Sequence, residues 1–570
     1  MSTVTDALLD VLADAGVRHV FGIPGDAVNA IVDGIRRDDR LTFVHVRHEE
    51  AGAFAASAQA KLDGRLGAVV GTSGPGAIHL LNGLYDAARD HAPVIAVTGE
   101  TETDRLGTDA HQEVGQPALF ADVAAFSQRI VHPDQLPTLA VEAVQAALST
   151  PGVAHLAVPA DIAQQDVATV AHGVVVRREP RTVPADEDLA DAVRLLERAD
   201  APVILAGIGV RDAVAELLEL ADRLGAPIVK TLRGKDLFAD DHPLTVGGLG
   251  LLGTRAAVNA MSDCDLLVML GTDFPYRDFY PDGVPAIQLD LARGRVGRRY
   301  PVEVPLVGHA KPTLRLLLDR IGRREDRSFL EAAQEDMQRW RRWMRHLETN
   351  ETRPIKPERL AAVAGSLLRD DAVVTLDTGT VTAWVARHLA IRDGQQLTLS
   401  GNLASMAFGL PAAIGAQLAF PDRQVVALVG DGSYTMLPSD LITAVELELP
   451  ITVVVFDNRK LGLITVEQEA EGFADQQTGL PPCDLAAVAE AFGAEGILVD
   501  DPADLEAALR QAFASRRPTV VDVIIDPDEI PLPPRIELAQ ALGFAEAKIK
   551  EFFGVGQREG GFDALLDPMR

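Results

Sequence analysis

Two short stretches of this chain place oxygen ligands where an apolar strand gives way to a turn. In VVALVGDGSYTM the run from Val425 to Val429 breaks at Gly430-Asp431-Gly432, and in VVVFDNRKL a second β-branched run ends at Asn458, 27 residues after Asp431. The first turn opens a helix, so backbone N–H groups and the positive end of the helix dipole face any anion held there. A hard cation such as Mg2+ takes oxygen ligands in near-octahedral order. The carboxylate of Asp431, the amide oxygen of Asn458 and the backbone carbonyl of Lys460 would supply three, leaving positions for two phosphate oxygens and a water. GDG after a strand is also common as a plain tight turn; read as a ligand site, this spacing suits a metal-bound diphosphate.

Other polar residues stand where chemistry is plausible. Glu49 and Glu50 follow the strand TFVHVRH and open the helix EEAGAFAASAQAKL, where either carboxylate complements the helix dipole. The residues alone give no preference between them. Gln112 in GTDAHQEVG and Glu467 in LGLITVEQE read equally as solvated side chains, Met406 in NLASMAFGLP as core filler, and His79 as a hydrogen-bonded structural histidine. GIGVRD, after a third apolar run, is a bare GxG and by itself only a strand-to-helix turn.

Short apolar strands alternate with amphipathic helices along the chain, the pattern of a parallel sheet covered on both faces. The alternation occurs in three blocks separated by charged stretches, RREPRTVPADED and RREDRSFLEAAQEDMQRWRRWMRHLETNETRP, the second reading as a helix and linker. An α/β fold of three doubly wound parallel-sheet domains is expected: residues 1–178, 179–345 and 346–535, with a tail over 536–570. Strands are expected near Val17–Gly22, Thr42–Val46, Gly67–Gly71 and Val94–Thr98 in the first block. The glycine turns GTSGPG and VGDGS hint at related first and third blocks. A net charge of -30 over 570 residues argues against nucleic acid or an anionic membrane as a general partner. Cys264 and Cys483 fit no disulfide framework, and both are expected to be buried, in a reducing cytoplasm. No basic leader and no long apolar run is seen.

GDG followed at this spacing by Asn resembles the thiamine diphosphate (ThDP) binding motif. The resemblance extends through RHEEAGAFAASAQAKL, GTSGPGAIHLLNGLYDAARDHAPVIAVTGE, LRGKDLF, LGTDFPYRDFYP and SMAFGLPAAIGAQ to the ThDP-dependent pyruvate oxidase and acetolactate synthase family. LGTDFPYRDFYP and the tail PLPPRIELAQALGFA are most similar to the bacterial pyruvate:quinone oxidoreductases, or pyruvate dehydrogenases (quinone).

The resemblance implies a pyrimidine-binding first domain, an FAD-binding-like central domain and a diphosphate-binding third domain. It selects Glu49 as the carboxylate that hydrogen-bonds the aminopyrimidine and so promotes the tautomer able to take the thiazolium proton. It makes Met406 the wedge that keeps the coenzyme bent, with Ala404 and Ser405 along the pyrimidine. The diphosphate end falls to Asp431, Gly432 and Ser433 together with Asn458, Arg459, Lys460, Leu461, Gly462, Leu463 and Ile464, with Mg2+ on Asp431, Asn458 and Lys460. FAD is assigned to Gly250, Leu251, Leu252 and Gly253, to Thr272, Asp273, Phe274, Pro275 and Tyr276, and to Asp290. Gln112 and Glu467 become substrate-side residues.

The implied reaction is oxidative decarboxylation of pyruvate to acetate and CO2, with electrons passing through FAD to a quinone. The alternatives are a phosphate- and oxygen-dependent pyruvate oxidase making acetyl phosphate, and acetolactate synthase. The acetolactate synthases tend to carry an aromatic residue where Glu467 stands and an arginine-bearing motif where FPYRD stands, which favours oxidation. Two departures from the quinone enzymes, His111 for a phenylalanine and Leu463 for an aromatic, bear on access to the flavin. Sites shared between subunits imply a homodimer at least and a homotetramer as the expected state. The tail places Ile549, Phe552 and Phe553 near one helical face, so membrane contact, peripheral on the inner face of the cell membrane, competes with docking on the protein body.

Overall fold

Runs such as VIAVTGE, VAHLAVP and ITVVVFD show no polar alternation, and each is buried along its whole length. Strands of this kind belong inside parallel sheets covered on both faces. The computed structural model describes residues 2–149, 151–168, 181–531 and 534, and in it they form three six-stranded sheets. The first contains β1 (His19–Gly22), β2 (Thr42–His45), β3 (Gly67–Gly71), β4 (Val94–Glu100), β5 (Ala124–Arg129) and β6 (Val153–Pro159), in the order β2-β1-β3-β4-β6-β5. The second contains β7 (Pro202–Ala206), β8 (Ile228–Lys230), β9 (Thr245–Gly248), β10 (Leu266–Leu270), β11 (Ala286–Asp290) and β12 (Val304–Val307), ordered β12-β11-β10-β7-β8-β9. The third contains β13 (Val373–Leu376), β14 (Gln396–Leu399), β15 (Val425–Gly430), β16 (Ile451–Asp457), β17 (Glu495–Val499) and β18 (Thr519–Ile524), ordered β14-β13-β15-β16-β18-β17. Neighbouring strands run parallel, as the expected fold class requires.

The first and third sheets have the same winding, a relation that GTSGPG and VGDGS only hinted at. The second has the order of a dinucleotide-binding doubly wound sheet. In all three the strand order reverses at an identifiable pair: β1 and β3, β7 and β10, β13 and β15. Loops leaving the carboxyl ends of such pairs form the crevice where ligands bind in this architecture. The three glycine turns, Gly71–Gly76, Gly207–Gly209 and Gly430–Gly432, leave from these pairs.

Two helices fix the first domain against the third. The helix Glu49–Asp63 is alanine-rich and buried from Ala51 to Ala60, because it lies between the first sheet and the helix Gly409–Ala419. A side chain on Gly415 would meet the backbone of Ala55, so the helices touch main chain to main chain there, and Phe54 meets Phe408 edge to face. The charged stretch after the central domain forms the helix Ser328–Glu348, whose buried Leu330, Ala333, Met337, Trp340 and Met344 recur at helical spacing.

Cys264 is buried as expected, its thiol pushed up to about 12 by burial and neighbouring aspartates. Cys483 corrects the expectation: it is exposed, in a loop ahead of the helix Leu485–Ala491. The tail over 536–570, with Ile549, Phe552 and Phe553, lies outside the described residues, as does the boundary at 178. Among the described residues no helix is long and apolar enough to cross a membrane.

Candidate functional site

Asp431 stands at the carboxyl end of β15, the first residue of a short helix, and is buried. Burial and the adjacent Asp457 carboxyl push its pKa well above the usual carboxylate range. Asp457, the last residue of β16, also accepts the Arg459 N–H at 3.0 Å. Two buried carboxyl groups side by side repel unless a proton or a cation lies between them. This donor set suits a hard divalent cation, so the residues fit Mg2+. The sequence reading passed over Asp457; the signal was its position beside Asn458 at the strand end.

Asn458 Oδ1 accepts the Lys460 N–H at 3.1 Å, and Arg459 between them takes φ 55°. Arg459 O accepts from Leu480 N at 2.7 Å and Leu461 N donates to Thr478 O at 2.8 Å. Since extended backbone alternates its direction, the Lys460 carbonyl turns away from that partner segment, toward the side of Asn458. The Lys460 ammonium points elsewhere, pairing with Asp528 at 3.1 Å. A side chain on Gly462 would come within 2.9 Å of Asn458 Nδ2, and one on Gly432 would sit 2.8 Å from Leu461 Cδ2 and 3.5 Å from Met406 Cε. Met406 thus lies beside the GDG turn. Ser433 reaches back to Thr378 O at 3.2 Å. Ala404 and Ala407 take φ values of 57° and 69°, and such backbone strain in non-glycine residues gathers at ligand sites.

Glu49 is the first residue of its helix, buried, with Oε2 2.9 Å from His79 Nδ1. Glu50 goes instead to Asn82 Nδ2 at 2.6 Å, and the same amide donates to Ser405 Oγ at 3.0 Å. Geometry therefore separates the two glutamates. His48 caps this helix by accepting the Glu50 N–H on Nδ1, and its ring stacks on His79 at 4.4 Å. A side chain on Gly76 would lie 3.2 Å from Glu49 Oε1, and one on Gly74 would lie 2.8 Å from Gln112 O. Gln112, at φ 60°, accordingly lies over the turn that faces Glu49. His48, Glu49 and His79 gather three metal-ligating groups, but His48 Nδ1 accepts the Glu50 N–H and His79 Nδ1 already pairs with Glu49.

The second site is a cavity of about 2150 Å³ at the switch point of the central sheet. Gly250, Leu251, Leu252, Thr272, Asp273, Phe274, Pro275, Tyr276 and Asp290 all line it. Gly253 does not: it packs on Gly248, where a side chain would come within 2.8 Å of the carbonyl carbon. Asp290 caps the cavity-side loop by accepting Ala292 N–H at 2.8 Å, and burial raises its pKa. Gly207 and Gly209, left as a bare turn by the sequence, also line the cavity, and a side chain on Gly207 would lie 2.5 Å from Gly271 O. Arg233 and Arg295 bring positive charge to its wall. The helix Gly462–Ala470, which follows the Asn458 loop, turns Leu463, Val466, Glu467 and Ala470 to this cavity, one face at helical spacing. Glu467 and the departure at Leu463 therefore sit at the cavity. His111 is exposed, one residue before Gln112. Ile464 lies on another side of the same helix, exposed.

Three models of the thiamine pyrophosphate enzyme family match in succession: the N-terminal TPP binding domain over residues 2–119, the central domain over 189–317 and the C-terminal TPP binding domain over 377–523. A protein of Bacillus subtilis (strain 168), YdaP, provisionally named as thiamine pyrophosphate-containing, is 44% identical over 97% of this chain and 96% of its own length. Pyruvate oxidase of Lactiplantibacillus plantarum is 31% identical over 92% of this chain and 89% of its own. The acetolactate synthase large subunit of Parasynechococcus marenigrum (strain WH8102) is 32% identical over 91% and 86%. With the twin terminal sheets and the dinucleotide-type sheet between them, these matches establish that the chain belongs to the thiamine diphosphate-dependent enzyme family.

Proposed function

We propose that this chain catalyses the oxidative decarboxylation of pyruvate to acetate and CO2, passing two electrons through FAD to a quinone. Pyruvate, water and quinone then give acetate, CO2 and the quinol. ThDP, when bound, would supply an acidic carbon and an electron sink for decarboxylation of the keto acid. Asp431, Asn458 and the Lys460 carbonyl would hold Mg2+ and through it the diphosphate, with Asp457 adding negative charge beside Asp431. Met406, beside Gly432, would pack against the coenzyme as its wedge. Glu49 would hydrogen-bond and exchange a proton with the pyrimidine ring, and Gln112 would stand at the substrate end.

The observation that carries the oxidative reading is the helix Gly462–Ala470. It begins at the diphosphate loop and lays Leu463, Val466, Glu467 and Ala470 on the dinucleotide cavity, so one element borders both cofactors. The cavity volume exceeds the roughly 300–1,000 Å³ of ordinary ligand pockets and suits an extended dinucleotide. A homodimer, and from it a homotetramer, is inferred because Ile78 beside His79, Met436 after the GDG helix and Ile464 beside the Asn458 loop are exposed apolar side chains at the two half-sites. A second copy would cover them. A cytoplasmic enzyme that touches the inner membrane face while reducing quinone completes the reading.

Anaerobic mixing of the FAD- and ThDP-loaded enzyme with pyruvate tests it. Bleaching of the flavin, recovery on adding a ubiquinone analogue and acetate as product are expected. Acetolactate without bleaching would assign the reaction that the name of the Parasynechococcus relative carries. Acetyl phosphate with oxygen consumption would assign the phosphate-using oxidase.

A further inference from the structure

All three domains meet at one buried carboxylate, Asp90, at the edge of the dinucleotide cavity. Asp90 ends the helix Leu81–Asp90 and has no side-chain exposure. Its Oδ2 receives Lys61 Nζ at 2.7 Å and the Gly401 N–H at 2.9 Å; its Oδ1 receives the Asn402 N–H at 3.0 Å and Asn402 Nδ2 at 2.9 Å. From the central domain, Arg233 donates from NH2 to the Asp90 carbonyl at 2.8 Å and holds NH1 3.5 Å from Oδ1. The Arg233 methylenes lie so close over Gly401 that a side chain there would overlap them. Lys61, Asp90, Arg233, Gly401 and Asn402 also line the dinucleotide cavity.

Gly401 and Asn402 start the segment that continues through Ala404 and Ser405 to Met406. The segment is further tied by Ala404 N to Ser400 O at 3.2 Å, by Ser405 N to Ser400 Oγ at 3.0 Å, by Asn402 Nδ2 to Arg89 O at 3.1 Å and by Asn82 to Ser405 Oγ. Its strained Ala404 and Ala407 require an external hold. Arg233 is one-fifth exposed, toward the cavity, so a ligand that fills the cavity removes water from its guanidinium and strengthens its grip on Asp90.

We propose that Asp90 and Arg233 are positioning residues that couple the two cofactors: a dinucleotide in the central cavity stiffens the Gly401–Met406 segment and thereby tightens ThDP, and ThDP tightens the dinucleotide by the same factor. Reciprocity is a thermodynamic necessity if the coupling exists. This rests on the flavin reading above. A loop ordered once by the first ligand costs the second ligand less, which yields a coupling of about tenfold, within the usual range of about 5- to 150-fold.

The test is a thermodynamic cycle on the full-length protein with Mg2+ present. ThDP affinity is measured by calorimetry with and without saturating FAD, in the wild type and in Arg233→Met, which keeps the methylenes over Gly401. A roughly tenfold gain with FAD in the wild type, absent in Arg233→Met and partly restored in Arg233→Lys, is expected. Equal ThDP affinity with and without FAD in the wild type, or an undiminished gain in Arg233→Met, overturns the coupling while leaving the flavin reading intact. Failure of the wild type to bind FAD overturns both. Asp90→Asn, if it folds, is expected to lose the gain as well; because Asp90 is buried beside Lys61, Arg233→Met is the decisive variant.

Discussion

Replacing Gly415 by alanine sets a local gain against a tertiary clash, and the structure gives the sign. Gly415 is interior to the helix Gly409–Ala419, where alanine is favoured over glycine by about 1 kcal/mol. The added Cβ would lie 2.9 Å from the Ala55 carbonyl carbon and 3.0 Å from its Cα, and closer still to its carbonyl oxygen. Relaxed carbon contacts need about 3.5–4.0 Å, so the helices must part by about half an ångström to one ångström. The obstacle is helix backbone, which cannot swing away, placing the overpacking cost near the upper end of about 1–3 kcal/mol. The net is a loss of about 2 kcal/mol, or a Tm lower by about 4–8 °C for a unit of 150–250 residues. The moved helix carries Glu49 at its first turn, so ThDP affinity is expected to fall as well. Scanning calorimetry checks the first effect and titration calorimetry the second. As a control, Gly365→Ala meets Leu389 first at its side-chain Cγ, 3.0 Å away, with the backbone Cα farther off at 3.4 Å, and should lower Tm less than Gly415→Ala. An unchanged or raised Tm in Gly415→Ala would refute the claim that main-chain contact fixes the spacing of these two domains.

Lys61→Met leaves Asp86 and Asp90 buried without their shared cation, both 2.7 Å from Nζ, and is expected to cost about 3–5 kcal/mol; adding Asp86→Asn should recover part of the lost Tm. Glu49→Gln, with ThDP still bound, should lower turnover by about 10²–10⁴-fold in steady-state assays, the range of a lost acid–base group. His155 is stacked on Phe120 at 3.8 Å, and burial pushes its pKa down to about 3 from 6.5. Its neutral form is the one that folds, so its contribution is full above pH 6.5 and fades as pH falls toward 3, by about 3 kcal/mol at pH 4. Urea midpoints against pH should flatten across that window in His155→Gln.

The sheets were legible because buried parallel strands announce themselves as unbroken β-branched runs, and β3 matches its expected bounds at both ends. The positions of the GDG turn and of Asn458 were legible because each follows an unbroken apolar strand, β15 and β16. Glu49 and Glu50 were not separable by residue type, since both stand in the first turn; only the fold sends one to His79 and the other to Asn82. Gly207 and Gly209 were read only as a strand-to-helix turn because a bare GxG acquires meaning only from the strand order that places it beside Gly271. Asp457 was missed because a carboxylate beside a ligand reads as part of the strand until its neighbour across the sheet, Asp431, is known. The Asp90 node joins residues far apart in the chain, and no local pattern marks it. Cys483 shows the limit of composition: small apolar character favours burial, but a loop position decided otherwise.

The central claim is that ThDP is held through Mg2+ at Asp431. Titration calorimetry of ThDP into the wild type and Asp431→Ala, each with and without Mg2+, tests it most directly, with circular dichroism verifying that both are folded. The account predicts saturable wild-type binding that needs Mg2+ and is lost in the folded variant. Binding to Asp431→Ala at wild-type affinity would contradict it.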